Sequence, residues 1–313
     1  MAQPLVSIIT PSLDRRAMIE RTIASVQGQS YGEIEHIVVD GGSTDGTISV
    51  LERWAASGRL RWTSERDGGM YEAINKGLAS AKGEILCYLN SDDLYFPWTI
   101  EVVARAFRDR PEVDLVLGDV LSIDDETGAQ RIHWQAPFDL DYIRRSGFLA
   151  QPAVFWRRRV MDEEGPLDKS LRYVADCDYW MRAGERHRFA KVNEVLAIER
   201  DHPGTLRQQR AAELTTELVA VRSRYVRLGG SRDRVLRIRH RIRFALWRRR
   251  YWSSVIADGL LRPRNPRGWR RFLSDPRTSV SYRWAFALLV PLVGKFIERR
   301  VLEGSGWASA SRP

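Results

Sequence analysis

The stretch "ILCYLNSDDLYFP", Ile85 to Pro97, decides how this 313-residue chain is read. An apolar run with the character of a buried strand ends abruptly in Asn90, Ser91, Asp92 and Asp93, ahead of a second apolar patch and a proline. Adjacent carboxylates at a strand mouth disfavour one another's ionisation unless something positive sits between or beside them. In one reading an acid caps the helix after Pro97 and its neighbour is solvated. In the other a divalent cation, Mg2+ or Mn2+, removes the repulsion; both are hard ions that prefer oxygen ligands and keep water and phosphate in their shells.

On both sides of this stretch, apolar runs alternate with segments of helical period. "LVSIITP" is a strand by its β-branched content, and Ile19, Ile23 and Val26 then share one helical face. "IEHIVVD" leads to a helix carrying Ile48, Leu51 and Trp54, and "LRWTSE" to one aligning Ile74, Leu78 and Ala81. Beyond Pro97, Ile100, Val103 and Phe107 mark a fourth helix and "VDLVLGDV" a further strand. This alternation predicts an α/β fold, a mostly parallel sheet with helices on both faces. Such sheets bind ligands outside the carboxyl ends of their strands. Three strand ends gather there: Thr10 to Ser12, "DGGSTDGT" from Asp40 to Thr47, and Asn90 to Asp93. Taken alone, the glycine-rich loop is a turn in which Ser43 or Asp45 caps the next helix. Its place on the same edge as the paired acids favours the cation.

Composition bounds the rest. With 43% hydrophobic residues the chain can bury one substantial core and a small second unit. Cys87 and Cys177 give neither a disulfide framework nor metal-binding spacing, which points to a reducing, cytoplasmic setting. The amino terminus lacks the pattern of a secretory signal, and no run approaches the roughly 20 apolar residues of a spanning helix. Net charge is +10 and unevenly spread, with arginine dominating "RLGGSRDRVLRIRHRIRFALWRRRYW" and "LRPRNPRGWRRFL". The break is placed near Pro203, giving a first domain over 1–205 and a basic, mainly helical extension over 206–313. Nucleic-acid binding is disfavoured because no zinc-finger spacing or RNA-recognition motif accompanies the arginines. A solvated helical surface is the plain alternative. Arginine mixed with Trp and Phe better suits an anionic membrane surface on the cytoplasmic side, with the apolar segment after Tyr282 lying in the interface.

Four segments in order, "VSIITPS", "IVVDGGSTDGT", "ERDGGMYEAINKGLASAKGEILCYLNSDD" and "YVADCDYWMRAG", resemble the family 2 glycosyltransferases, nucleotide-sugar-dependent enzymes of the GT-A fold. The resemblance covers residues 5–203. It implies that Asn90-Ser91-Asp92 stands at the family's Asp-x-Asp signature, with Asp92 as the divalent-metal ligand and Asn90 accepting from a ribose hydroxyl. Asp93 then supports Asp92 or touches the sugar. It also implies a base pocket near Thr10, Pro11 and Asp40, closed by Asp67 and Lys76. Many members carry two acids after the second strand, whereas here Asp40 is followed by Gly41.

"YVADCDYWMRAG" holds two more carboxylates. On a helix Asp176 and Trp180 share a face, while Asp178 points elsewhere and can pair with Arg182. Sugar transfer with inversion requires a base opposite the leaving group to take the acceptor proton. The resemblance assigns that base to Asp176, with Ala175 where Glu is common. Helix capping by Asp176 is the alternative, and Trp180 is either core or a stacking platform for an acceptor sugar. His202 is incidental to the domain boundary or a further metal or phosphate contact, and Gln151 is a solvated loop residue or faces the acceptor. The function expected is an inverting, metal-dependent transfer from a nucleoside-diphosphate sugar to a hydroxyl of a glycan or lipid-linked acceptor in cell-surface polysaccharide synthesis. A non-catalytic nucleotide-binding scaffold and a nucleotidyltransferase making the donor are the other classes that fit this fold logic.

Overall fold

β1 (Val6–Ser12) is buried at every residue and runs through the parallel half of the sheet, hydrogen-bonded to β2 (Ile34–Asp40) on one side and β4 (Ile85–Tyr88) on the other. This is a computed structural model, and it describes residues 3–261 apart from 57 and 59, with side chains through residue 247. The apolar segment expected at a membrane interface after Tyr282 lies outside the described residues. The sheet order is β3-β2-β1-β4-β8-β6-β9-β5, with β7 paired to β6.

The parallel sheet expected from the strand and helix alternation is its first half. β3 (Leu60–Ser64), β2, β1 and β4 are all parallel, joined through α1 (Arg16–Gln27), α2 (Thr47–Ala55) and α3 (Met70–Ser80). Strand alternation sends Val38 into a cluster with Ile19, Ile23 and Leu51 and sends Ile37 and Val39 into the larger cluster with Tyr71, Ile74 and Leu78. Helices therefore cover both faces here, as the apolar stripes require. α3 lies directly on β1: a Cβ at Gly77 would come within 2.5 Å of the Ile9 side chain.

The second half is mixed. After β5 (Leu94–Tyr95) and α4 (Thr99–Asp109), β6 (Leu115–Asp124) pairs antiparallel with β7 (Gln130–His133) and with β8 (Val154–Arg157), and β8 in turn pairs antiparallel with β4. Between β7 and β8 lie α5 (Leu140–Arg145) and a 3-10 turn, Gln151–Ala153. α6 (Arg158–Glu164) and α7 (Ala175–Ala183) then lead to β9 (Phe189–Asp201), which runs parallel to β6 and antiparallel to β5. Short apolar runs carry no mark of strand direction.

α8 (Leu206–Gln209), α9 (Ala211–Tyr225) and α10 (Ser231–Leu261) follow. Charge placed a break after residue 205, whereas the first compact unit continues to Ile238 and a second begins at Arg239. The difference lies in α9. Its Val221 is fully buried in the main core, and its Glu217 carboxylate accepts from the backbone N–H groups of Arg172, Tyr173 and Val174 at 2.8, 2.7 and 3.1 Å. No described helix is long and apolar enough to cross a membrane.

Candidate functional site

The loops after β1 and β2 are stitched into one piece. Asp14, at a left-handed φ of 50°, donates its N–H to Ser43 Oγ and accepts from Thr44 N–H, both at 2.8 Å. The next two N–H groups, of Arg15 and Arg16, donate to Thr47 Oγ1 at 3.0 Å and Asp45 Oδ2 at 2.9 Å. Asp40 is the post around which the glycine loop is wound. It is fully buried and accepts from Gly42 N–H at 3.0 Å, Ser43 N–H at 2.8 Å, Ser64 Oγ at 2.7 Å and also from Ser43 Oγ. Four donors occupy its carboxylate, which gives Asp40 a structural duty in the loop. Gly41 has its own reason: a Cβ there would meet Asp67 Oδ2 at 3.2 Å, and Asp67 Oδ1 also accepts from Gly69 N–H at 2.9 Å. Thr10 is likewise buried, with its hydroxyl 3.0 Å from His36 Nε2, and Pro11 is buried beside it. Lys76 is paired with Glu65 at 2.8 Å and Glu72 at 3.4 Å.

The paired acids differ in environment. Neither caps α4, whose first turn follows Trp98 without a side-chain cap. Asp93 is 4% exposed; burial first, then the Asp92 charge, pushes its carboxyl well above the usual range. It accepts from Arg200 N–H of β9 at 3.3 Å and from Asn90 Nδ2 at 3.5 Å. Asp92 is half-buried and meets His202 Nε2 at 3.2 Å. His202 Nδ1 accepts from Gly204 N–H at 3.1 Å, so in the neutral ring Nε2 bears the proton and donates to Asp92.

Three buried polar atoms at this edge have no hydrogen-bond partner: Ser12 Oγ at the end of β1, Asn90 Oδ1 beyond β4, and Gln151 Oε1. The other end of the Gln151 amide donates to Tyr88 O at 2.7 Å, so Gln151 belongs to the end of β4 and is not a solvated loop residue. Unpaired buried polar atoms are costly, and their gathering at one place marks where a polar ligand would complete them. Among the described residues no three His, Cys, Asp or Glu side chains are grouped to hold a metal ion. A cation beside Asp92 would therefore rely on few protein ligands and take the rest from phosphate and water, which suits Mg2+ or Mn2+.

α7 supplies the second acid. Asp178 is held by Arg182 Nε at 3.1 Å and by Tyr225 Oη at 2.9 Å, the structural pairing its position predicts. Asp176 is not the N-cap residue, which is Val174, although its carboxylate takes the first-turn N–H of Cys177; Tyr71 Oη donates to its Oδ1 at 3.2 Å. Burial raises the Asp176 carboxyl to about 6, against the backbone N–H of Cys177, the Tyr71 hydrogen bond and the Arg207 charge, which all favour the carboxylate. Trp180 is core: it is 1% exposed and packs edge-on to Trp156 at 5.3 Å between centroids, which removes it as a platform for an acceptor sugar. The two acidic centres lie within electrostatic reach of common groups. The fields of Asp93 and Asp176 both reach the Tyr88 phenol, and Arg207, paired with Glu199 at 3.1 Å, acts on both acids. Sequence reasoning placed Ser12 at the ligand edge without a role of its own, and gave none to Tyr71 or Arg207. Ser12 and Tyr71 stand inside quoted motifs, while Arg207 gave no signal among so many arginines.

Comparison with known proteins agrees with this geometry. The family described as Glycosyl transferase family 2 matches residues 7–167, just over half of the chain. A PGL/p-HBAD biosynthesis glycosyltransferase of Mycobacterium bovis is 34% identical over 185 residues, 58% of this chain and 70% of that protein, and the Mycobacterium tuberculosis protein of the same name matches equally. Two solved structures share the fold. S. aureus TarS in complex with UDP-GlcNAc superposes with a TM-score of 0.58 at 20% identity, covering 73% of this chain and 69% of that one. A mannosyltransferase from Pyrobaculum calidifontis in complex with GDP-Man and Mn2+ gives 0.56 at 22% identity, covering 72% and 66%. The family match and the mycobacterial relatives, with a fold shared by the two solved structures, lead to one conclusion: the chain belongs to glycosyl transferase family 2 and is a glycosyltransferase of the GT-A fold.

Proposed function

We propose that the chain transfers a sugar, with inversion, from a nucleoside-diphosphate donor to a hydroxyl of a glycan or lipid-linked acceptor in cell-surface polysaccharide or glycolipid synthesis. The observation that carries this reading is the nearness of Asp176, a carboxyl raised to about 6 by burial, to the acids after β4, with the Arg207 charge acting on both Asp176 and Asp93. A carboxylate of that kind is matched to receiving an acceptor proton near neutral pH.

Asp92 would hold Mg2+ or Mn2+, and the cation would neutralise the charge that develops on the diphosphate. His202 steadies Asp92 and could join as a ligand only in its other tautomer, which gives up the Gly204 hydrogen bond. Ser12, Asn90 and Ser91 line the donor side, with the unpaired Ser12 hydroxyl able to donate to a phosphate or ribose oxygen and Asn90 Oδ1 to accept from a ribose hydroxyl. Asp67 and Lys76 bound the base pocket, and Thr10, Pro11 and Asp40 shape it from beneath. Asp93 supports Asp92 or meets the sugar. The donor class is supported by the UDP-GlcNAc and GDP-Man of the structural neighbours, and the acceptor class by the biosynthetic name of the mycobacterial relatives.

An anionic membrane surface is the proposed partner of α10, with the protein peripheral on the cytoplasmic face. The helix exposes Val235, Ile238, Ile242 and Leu246 at helical spacing, and arginines border that stripe. Nucleoside-diphosphate release from a panel of donor sugars, with and without Mn2+, tests the reaction. Pyrophosphate released from a nucleoside triphosphate, with none from donor sugars, would replace it with donor synthesis.

A further inference from the structure

α3 presents two side chains to the segment that carries Asp176. Tyr71 Oη donates to Asp176 Oδ1 at 3.2 Å, and one turn later Asn75 exchanges two hydrogen bonds with the Leu167 backbone, donating at 2.8 Å and accepting at 3.1 Å. Residues four apart share a helical face. The adjoining face holds the donor loop, where Glu72 accepts from Gly68 N–H at 3.2 Å and Lys76 reaches Glu65 at 2.8 Å. One helix thus braces both halves of the reaction. Tyr71 is 3% exposed, and burial, followed by the Asp176 charge, holds its phenol well above the ordinary value. It is a hydrogen-bond donor throughout the working pH range.

We propose that Tyr71 is a positioning residue of the transfer reaction, its hydroxyl orienting the Asp176 carboxylate toward the acceptor and keeping it ready to receive the proton. This rests on the reading of Asp176 as the base. In the step it serves, the acceptor oxygen bonds to the anomeric carbon as its proton passes to Asp176. The bond from that carbon to the diphosphate oxygen breaks, and its electron pair leaves with the nucleoside diphosphate.

The groups facing Asp176 are Tyr71 from α3, Tyr88 from β4, Arg207 from α8 and Cys177 on its own helix. Burial opposes its charge; the Tyr71 hydrogen bond and Arg207 favour it. Removing the hydroxyl leaves burial less opposed, so Asp176 is protonated at higher pH.

The test is the pH profile of donor turnover for Tyr71→Phe, a change that deletes one oxygen and keeps the ring. The acid limb should move up by roughly one pH unit and kcat near pH 6 should fall about fivefold, with KM for the donor held within about twofold. Asn75→Ala cuts the neighbouring contact and leaves the hydroxyl in place; it should lower the melting temperature without moving the limb. Asp176→Asn and the double variant Tyr71→Phe/Asp176→Asn should be equally inactive. If Asp176→Asn is dead but the Tyr71→Phe limb stays where it was, or Asn75→Ala shifts the limb as far, positioning by Tyr71 is overturned and the base stands. If Asp176→Asn turns over normally, the base assignment itself is overturned and takes this role with it.

Discussion

His202 Nε2 lies 3.2 Å from Asp92 Oδ2, joining the loop after β4 to the segment that follows β9. The carboxylate that would hold the cation is therefore fixed from the far end of the fold. Asp92→Ala should lower kcat/KM on the order of a thousandfold, since a cation at a leaving phosphate is worth several kcal/mol. His202→Ala should be milder, seen as a raised Mn2+ requirement in a titration of activity against metal. Full activity of Asp92→Ala in the presence of a chelator would remove the cation from the mechanism.

Asp176 predicts the pH dependence. Its carboxyl is raised to about 6 by burial, and the base acts only when ionised, so kcat/KM should fall as pH drops through that value. Asp176→Asn should cost on the order of 100- to 10,000-fold in turnover while the donor still raises the melting temperature. Loss of that thermal shift would instead place Asp176 in donor binding.

Asp40 should behave as a structural residue. Asp40→Ala leaves the N–H groups of Gly42 and Ser43 and the Ser64 hydroxyl without their acceptor. A loss of about 2–4 kcal/mol in denaturant unfolding is expected, with donor affinity falling because the loop is unwound. A variant of parental stability that merely changes preference among bases would make Asp40 a base contact instead.

His36 makes the fold sensitive to acid. It is fully buried and desolvation holds its imidazole down at about 3 from an ordinary 6.5, so the folded protein keeps it neutral. The unfolded chain takes up a proton below 6.5, so this share of stability is complete above that pH and drains away as pH falls toward 3, at up to about 1.4 kcal/mol per pH unit. Urea midpoints at pH 7 and 5 should diverge more for the parent than for His36→Gln. Equal divergence would show that another group governs acid sensitivity.

α10 can be probed without touching the acids. Ile242→Asp and Leu246→Asp place charge in its exposed apolar stripe. Each should reduce co-sedimentation with phosphatidylserine-containing vesicles at about 0.15 M salt and leave turnover of a soluble acceptor unchanged. Unaltered sedimentation, or none by the parent, would count against the membrane surface.

Legibility in the sequence followed physical locality. The parallel half of the fold was readable because each apolar stripe, such as Ile19, Ile23 and Val26, meets a strand close to it in the chain. β8 and β9 were not, because their pairing is decided by partners far away in sequence. At the site, the pairing of Asp178 with Arg182 was visible as a four-residue spacing. The hydrogen bonds that occupy Asp40 were not, since one donor arrives from β3, and the core role of Trp180 depended on Trp156 in a separate strand. The partner of Tyr71 was not legible because Asp176 lies on another helix, more than a hundred residues on.

β5 consists of two residues, and its partner β9 ends immediately before His202. A chain cut at residue 167 would hold Asp92 and Tyr71 but neither His202 nor Asp176, so both hydrogen bonds that tie the acids to the rest of the fold would be missing from it.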